Sequence, residues 1–398
     1  MLYSVVLLSA CSYESISSPR LIIEAATATI EAMNQLEQSA WAVLGKSLTG
    51  ASPLVNVAVP DDLVRDKRIL ITGAGGSIGS ALAHAVAAHK PAQILLLEAS
   101  EQALFAIDRG IAAPHIAILA SAGDTAALDE VFALHKPQVI FHAAAFKHVP
   151  LMELHPFAAI ENNAVATFRL AQTAVKNHTG QVILVSTDKA VSPASIMGVS
   201  KRIAELTALA LATPATQIKA VRLGNVYASQ GSVVQLFAEQ IAQHQPVTVT
   251  DPRATRYFLT VDETAALLLL ALAVQFPSGI LVPELAAPIH VEDLARALIR
   301  AANSDVPIAY IGLRPGEKLH EQLLSADESF LNESSAPLCP IRSTTISASR
   351  GAEVIAALQR AIADRNLHQL LAIVARLIPA YHPSDTVLAQ HSLAEPRA

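Results

Sequence analysis

The sequence of 398 residues predicts an α/β fold, with a doubly wound parallel sheet joined to a smaller mixed α/β domain. Three observations support this prediction. Short apolar runs lack the alternation of a half-exposed strand, helical segments separate the runs, and a glycine-rich turn directly follows the first run. This pattern is typical of a parallel sheet that helices cover on both faces.

The elements begin at residue 67, where short apolar runs start to alternate with helical segments. The predicted strands are Arg68–Thr72, Gln93–Leu97, Ile116–Leu119, Val139–His142 and Gln181–Ser186. The helices predicted between them include Ser80–His89, Ala126–His135 and Pro156–Asn177. From Leu223 onward, prolines interrupt the pattern, which indicates a smaller mixed domain.

The length predicts about two to three domains. In the N-terminal part we expect a helix from Pro19 to about Leu44, followed by a linker over Thr49–Pro60. The predicted boundaries are 1–66 for this extension and linker, 67–222 for the doubly wound domain with a later contribution near 255–280, 223–325 for the smaller domain, and 326–398 for a helical tail.

The composition excludes several classes of protein. Apolar residues make up 52% of the chain, yet the longest apolar runs fall short of the roughly 20 residues that cross a bilayer, so we expect no membrane span. The net charge is −6 and no basic cluster is present, which argues against nucleic acid as a partner. Cys11 and Cys339 are too few for a disulfide framework, so we expect a cytoplasmic location.

The first motif is a Gly-x-x-Gly-x-x-Gly turn between the first strand and the helix that begins near Ser77. Gly73 allows the tight turn, Gly76 lets the backbone approach a pyrophosphate, and Gly79 lets the helix pack closely on the strand. The helix N-terminus then holds the phosphate charge. The motif therefore predicts a dinucleotide-binding site.

A carboxylate in the next strand strengthens this prediction. Glu98 ends that strand, where it can bind the hydroxyl groups of the adenosine ribose. Ala99 and Ser100 follow it, with no arginine to receive a 2′-phosphate, so NAD is favoured over NADP. Asp124 follows the third strand, where it either contacts adenine or caps the next helix.

Four polar residues at the end of the fifth strand form the second motif. Ser186, Thr187, Asp188 and Lys189 lie at the carboxyl edge, where open α/β sheets bind ligands. Met197 and Lys201 are four residues apart and therefore share one helical face. This layout is similar to that of short-chain dehydrogenases, with Met197 at the position of their tyrosine.

Seven segments together resemble the nucleotide-sugar 4,6-dehydratases of bacterial polysaccharide biosynthesis, within the extended short-chain dehydrogenases. The resemblance covers about residues 67–325, and its Met-type motif is similar to the branch that acts on UDP-N-acetylglucosamine. The matching segments are Thr72–Gly79, Phe141–Pro150, Ser186–Val191, Met197–Arg202, Arg222–Val226, Thr255–Phe258 and Leu313–Lys318.

The resemblance implies a role for each polar residue of the second motif. Lys201 would hold the nicotinamide ribose, and Thr187 would bind the C4 oxygen of the sugar. Asp188 would protonate the departing C6 hydroxyl and Lys189 would remove the C5 proton, although the reverse assignment stays open. These roles require a raised pKa for Asp188 and a lowered one for Lys189.

The resemblance also implies the remaining contacts. NAD would contact Ser77, Ile78, Ala143 and Ala144 beside the glycines. A UDP-N-acetylhexosamine would contact Lys147, His148, Asn225, Arg256, Arg314 and Glu317, with the arginines on its diphosphate. For Arg314 an alternative is a surface ion pair.

Further expectations concern assembly and metals. The resemblance implies a homo-oligomer built through helices flanking Pro156–Asn177. We expect no metal site, because no carboxylate or cysteine completes a ligand set with His142, His148 or His155.

Two alternative functions remain open on the sequence. A C4 or C5 epimerase on the same scaffold also begins with removal of a hydride. An NAD-binding scaffold without activity would explain Met197 and the N-terminal extension.

Overall fold

The computed structural model describes residues 59–331 and 336–394. The predicted N-terminal helix, Cys11 and most of the predicted linker lie outside these residues. Within them, no helix is both long and apolar enough to cross a membrane.

A nine-stranded sheet forms the centre of the protein. Its first six strands are β1 (Arg68–Thr72), β2 (Gln93–Glu98), β3 (His115–Leu119), β4 (Val139–His142), β5 (Gln181–Thr187) and β6 (Gln217–Leu223). They lie parallel in the order 3-2-1-4-5-6, the order of a doubly wound dinucleotide-binding sheet. The predicted fold class is therefore confirmed.

The connections between these strands are helical. The helices are α1 (Ser77–Ala88), α2 (Glu101–Gly110), α3 (Thr125–His135), α4 (Val149–Leu154), α5 (Pro156–Ile160), α6 (Ala166–Lys176) and α7 (Ile196–Leu209). The single helix predicted over Pro156–Asn177 is interrupted, because a π-helical turn over Glu161–Val165 separates α5 from α6.

The rest of the described chain adds short strands and six further helices. They are β7 (Asn225–Val226), α8 (Val233–Ala242), β8 (Val247–Val249), β9 (Thr255–Arg256), β10 (Phe258–Leu259), α9 (Val261–Leu270), β11 (Ser278–Pro283), β12 (Ile289–His290), α10 (Val291–Ala301), β13 (Ile308–Tyr310), β14 (Ser329–Phe330), β15 (Leu338–Arg342), α11 (Ala348–Ala363), α12 (Leu367–Leu377) and α13 (Asp385–Ala394).

Three of these later strands complete the central sheet. β11 pairs parallel to β6, and β15 and β14 follow it antiparallel. The region after 325, expected to be a helical tail, thus contributes two strands before its helices, because the outer edge of β11 is available for pairing. The domain boundaries themselves stay predictions.

The sheet buries both of its faces, which accounts for the high apolar content. Ile69 and Ile71 of β1 pack on one face with α1, α2 and α9, whereas Leu70 packs on the other face with α3 and α6. Successive side chains of a strand point to opposite faces, so each strand needs apolar residues throughout.

The C-terminal helices α11 and α12 cover the outside of the interrupted helix. Val354, Leu358 and Leu370 are buried in one apolar cluster with Phe168 of α6 and Ile203 of α7. Part of the helical surface expected to form an oligomer interface is therefore in contact with the same chain. The oligomeric state stays a prediction.

A buried ion network joins β5, β6, α7 and the segment before β14. The guanidinium of Arg222, fully buried on β6, donates to both carboxylate oxygens of Glu205 at 3.0 Å and to both oxygens of Glu328 at 2.6 and 2.9 Å. Ser186 also donates to Glu205, at 2.6 Å. Burial acts to raise the pKa of Glu328, but the hydrogen bonds from Arg222 lower it to about 2.

We expect Arg222→Leu to lower the free energy of unfolding by about 3–5 kcal/mol, because two carboxylates would stay buried without their counter-charge. Urea denaturation at neutral pH measures this change. Arg253→Leu is the control, since the ion pair of Arg253 with Asp251 is at the surface, where such pairs contribute little. Equal stability of the two variants would contradict the structural role of the network.

Candidate active site

The glycine turn lies at the carboxyl end of β1. Gly73 has a positive φ of 66°, and a Cβ on Gly79 would lie 2.0 Å from the backbone oxygen of Gly73. A Cβ on Gly76 would meet only that same oxygen, at 3.3 Å. Gly76 is the N-cap of α1 and has no side chain with which to cap this N-terminus, so the N–H groups there can bind an anion. This geometry fits a dinucleotide pyrophosphate.

The neighbouring predicted cofactor residues surround this turn. Ala144 approaches it so closely that a Cβ on Gly73 would lie 2.7 Å from its backbone, and Ala143 donates its N–H to Thr72 at 3.1 Å. Ser77 accepts the N–H of Gln230 at 3.0 Å, which links α1 to the loop before α8. Ile78 packs partly buried against the core.

Glu98 is held by three backbone N–H groups at the end of β2. Its carboxylate accepts hydrogen bonds from Gly75 at 3.0 Å, Ala99 at 2.9 Å and Ser100 at 3.0 Å. The bond to Gly75 connects the expected ribose ligand to the glycine turn. Asp124 accepts two N–H groups at 3.0 and 3.1 Å as the N-cap of α3, and its contact with adenine stays a prediction.

Lys201 is buried on α7 and only 6% exposed. It is therefore not an exposed residue of the helix surface. Its Nζ donates no hydrogen bond to a protein group within residues 59–331 and 336–394. Burial lowers the pKa of Lys201 to about 8, against the opposing charge of Glu205.

His142 lies close to Lys201 and stays neutral. Its Nδ1 is 2.7 Å from Thr72 Oγ1 and its Nε2 is 2.8 Å from Thr167 Oγ1. Burial first, and then the charge of Lys201, lower the pKa of His142 to about 3. In the described part of the chain, no three His, Cys, Asp or Glu side chains are grouped to hold a metal ion.

Met197 is buried in the apolar cluster beneath α11 and α12, so a thioether occupies the position of the usual tyrosine. The helix that carries it is capped by Ser195, which accepts the N–H of Gly198 at 3.1 Å. Glu153 accepts the N–H of Ile196 at 2.7 Å. Because a thioether carries no exchangeable proton, Met197 cannot act as an acid or a base toward a substrate.

Thr187, Asp188 and Lys189 form a bonded group where β5 ends. Thr187 Oγ1 donates to Asp188 Oδ1 at 2.9 Å, and Lys189 Nζ donates to the same oxygen at 2.9 Å. Asp188 is fully buried, and its Oδ2 has no hydrogen-bond partner among the described residues. A Cβ on Gly198 would lie 2.2 Å from Lys189 O, so α7 packs directly on this group.

The proton affinity of Lys189 differs from the expectation. Burial acts to lower its pKa, but the charges of Asp188 and Glu321 raise it above the ordinary value. Lys189 Nζ also donates to Asn225 Oδ1 at 3.0 Å. The lowered pKa that a resting C5 base requires is thus absent, because two carboxylates face this amine.

The sequence reasoning missed Glu321. Its side chain is 4% exposed, with Oε1 3.7 Å from Lys189 Nζ and Oε2 3.6 Å from Lys318 Nζ. The only local signal is the spacing of Lys318 and Glu321, which allows an ion pair but does not indicate a partner on β5. The long separation in sequence hides this contact.

The guanidinium of Arg256 donates its hydrogen bonds to backbone carbonyl oxygens of the protein. Its terminal nitrogens donate to the carbonyl oxygens of Thr255 at 2.7 Å, Lys318 at 2.8 Å and Leu319 at 3.1 Å. The contact of Arg256 with a diphosphate stays a prediction, and its observed role is to hold the segment that carries Glu321.

The remaining predicted substrate residues lie in two places. Arg314 and Glu317 bind each other at 3.0 Å on a loop, where Arg314 is exposed, which matches the ion-pair alternative. Lys147 Nζ lies 3.3 Å from Ser229 Oγ, and burial lowers the pKa of Lys147. Burial and Lys147 likewise lower the pKa of His148. Their substrate contacts stay predictions.

Comparison with known sequences finds one family. A profile described as polysaccharide biosynthesis protein matches residues 69–341. The probable polysaccharide biosynthesis protein EpsC of Bacillus subtilis is 39% identical over 72% of this chain and 50% of its own length. CapD of Staphylococcus aureus, a capsular polysaccharide biosynthesis protein, is 39% identical over 71% and 49%. The chain therefore spans about half the length of these relatives.

The chain is also similar to an epimerase sequence and to two solved structures. The UDP-glucose 4-epimerase of Rickettsia rickettsii is 36% identical over 66% of this chain and 79% of its own length. Pen from Bacillus thuringiensis has a TM-score of 0.66 and 26% identity, covering 74% of this chain and 98% of its own. The Thermus thermophilus UDP-glucose 4-epimerase, solved with NAD, has a TM-score of 0.55 and 21% identity over 65% and 90% and shares the fold.

We expect the amine of Lys201 to titrate near pH 8, because burial disfavours its charged form. Heteronuclear NMR of isotope-labelled lysine side chains measures the midpoint. The exposed Lys176 is the internal reference. A midpoint for Lys201 equal to that of Lys176 would show that burial does not control this amine.

Proposed function

The chain belongs to the polysaccharide biosynthesis protein family, and we propose that it is a nucleotide-sugar 4,6-dehydratase that converts UDP-N-acetylglucosamine to a UDP-2-acetamido-2,6-dideoxy-4-hexulose. The product would serve the synthesis of a surface polysaccharide. The observation that carries the proposal is the buried Asp188–Lys189 pair at the end of β5. Elimination of water needs an acid and a base together, and this pair provides both.

The residues around the glycine turn fit NAD. The free N-terminus of α1 at Gly76 would hold its pyrophosphate, Glu98 its adenosine ribose and Lys201 its nicotinamide ribose. NAD would be preferred over NADP, because Glu98 would bind the 2′ hydroxyl and the next residues, Ala99 and Ser100, offer no arginine to a 2′-phosphate. When bound, NAD supplies the acceptor that takes the hydride from C4 of the sugar and returns it to C6.

The chain's own residues would act first on the C4 hydroxyl. Thr187 would bind the C4 oxygen, and the positive charge of Lys201 would favour the developing alkoxide. Met197 takes no part in this proton transfer. Because Thr187 donates its own proton to Asp188, its oxygen can accept the hydrogen bond of the C4 hydroxyl, whose proton would pass to solvent as the hydride leaves.

The raised pKa of Lys189 favours the reverse of the expected acid–base assignment. The unpartnered Oδ2 of Asp188 would take the C5 proton as the C5–H electrons form the double bond to C6. Lys189 would donate a proton to the C6 hydroxyl as the C6–O bond breaks and water leaves. Asp188 would then return its proton to C5 as the hydride returns to C6, and Lys189 would take a proton from solvent after the water has left.

The first alternative is a nucleotide-sugar C4 or C5 epimerase, which the similarity to the Rickettsia UDP-glucose 4-epimerase favours. A simple C4 epimerase has no need for the buried Asp188–Lys189 pair, which argues for dehydration. The second alternative, an NAD-binding scaffold without activity, rests on Met197.

Incubation with UDP-N-acetylglucosamine and NAD tests the three functions. We expect a product that has lost one water, detected by mass spectrometry, with a C6 methyl group in its NMR spectrum. An isomer of unchanged mass would identify an epimerase. Binding without any product would favour the scaffold.

We expect Lys189→Met to reduce the rate of dehydration by about 10²-fold or more, because the C6 hydroxyl would lose its acid. Circular dichroism and NAD binding check that the variant is folded. Lys176→Met, at an exposed position, is the control. A rate close to that of the unaltered protein would rule out the role of Lys189.

A further inference from the structure

Glu321 is a buried carboxylate at the proposed site to which no role has been assigned so far. It faces Lys189 and Lys318 through different oxygens, at 3.7 and 3.6 Å. Its Oε2 has no hydrogen-bond partner among the described residues. A buried carboxylate without full hydrogen bonding is costly, so its retention beside Lys189 calls for a functional explanation.

A specific set of bonds brings Glu321 to this place. Arg256 donates to the backbone oxygens of Lys318 and Leu319. Thr255 donates its N–H to Leu319 O at 3.0 Å, and its hydroxyl lies 2.9 Å from His320 Nδ1. β9 thus holds the segment 318–320 directly before Glu321.

We propose that Glu321 is a positioning residue that keeps Lys189 as an ammonium ion between two carboxylates. The proposal rests on the dehydratase function, in which Lys189 starts the elimination with a proton for the C6 hydroxyl. Glu321 itself touches neither the sugar nor the cofactor in this role and acts through Lys189.

The charges around Lys189 support this role. Asp188 and Glu321 are the anions that raise its pKa, whereas burial and Arg256 lower it. Lys318 is a further nearby cation, anchored to Val191 O at 2.7 Å, and Asn225 is a neutral acceptor. Without Glu321, Asp188 alone would oppose the charges of Lys189, Lys318 and Arg256. The pKa of Lys189 would then be lower.

Glu321 is not merely the partner of Lys318. The Nζ of Lys318 already donates to a backbone oxygen, and its contact with Glu321 is longer than a hydrogen bond. Glu321 also lies 3.7 Å from Lys189 Nζ, so neutralisation of Glu321 removes a negative charge that favours the protonated form of Lys189. The proposed role requires this change in proton affinity.

Glu321→Gln keeps the size of the side chain and removes its charge. We expect kcat to fall by about 10-fold to 100-fold, with KM altered less than about 2-fold. The alkaline limb of the kcat profile should move to lower pH, because an acid is lost once the pH exceeds its pKa. Glu321→Asp should retain much of the activity and a limb near the original one.

The control for these variants is Glu292→Gln, on the outer helix α10, where Glu292 pairs with Arg296. It should leave kcat and the pH profile unchanged. A raised KM with an unchanged kcat in Glu321→Gln would instead make Glu321 a substrate ligand and overturn the proposal. An unmoved alkaline limb would also overturn it.

A measurement that needs no turnover separates this proposal from the proposed function. Acetic anhydride acetylates an amine only in its neutral form. The pH dependence of Lys189 acetylation, measured by mass spectrometry with Lys176 as the reference, therefore reports the pKa of Lys189. We expect the midpoint to fall in Glu321→Gln. A lower midpoint in Glu321→Gln, together with no dehydrated product from the unaltered protein, would mean that Glu321 does keep Lys189 protonated and that the proposed dehydratase function is wrong. An unchanged midpoint overturns the proposal whatever the product.

Discussion

The buried guanidinium of Arg222 is the constraint on which the rest of the structure depends. A charge inside a protein is tolerated only when paired and hydrogen-bonded, and Arg222 has two carboxylates as partners. Glu205 lies one turn after Lys201 on α7, and Ser186, which also binds Glu205, directly precedes Thr187. The partners of Arg222 therefore hold α7, which carries Lys201, against the end of β5.

The sequence predicted the parallel sheet well, because its strands are buried on both faces and read as apolar runs. Predicted β1 and β4 agree with the structure at both ends. The break in the long helix had no such signal, since it involves Asn163, whose side chain binds the backbone of Phe146 and the hydroxyl of Ser200. Those partners come from other segments, so local propensity does not reveal the π-helical turn.

In the candidate site too, patterns within one segment could be predicted from the sequence, whereas contacts between distant segments could not. The sequence predicts Asp188, Lys189 and Lys201 as site residues because they lie in compact motifs, but their environments depend on distant segments. The direction of the pKa of Lys189 follows from Glu321, which lies far along the chain. The resemblance implied that Arg256 binds the diphosphate, whereas its nitrogens donate to carbonyl oxygens of residues that the fold brings near it.

The pKa values of the two lysines of the site, Lys189 and Lys201, are shifted in opposite directions. In the proposed function this difference would give the two amines different roles. Lys201 is buried beside neutral His142, and Glu205, its opposing charge, is shared with Arg222, so its pKa falls to about 8. Lys189 is buried against two carboxylates, so its pKa rises. Groups whose environments separate their pKa values take different roles in acid–base catalysis. In the proposed function, such a site would retain a proton on Lys189 for the departing hydroxyl, while Lys201 would hold the nicotinamide ribose and favour the alkoxide at C4.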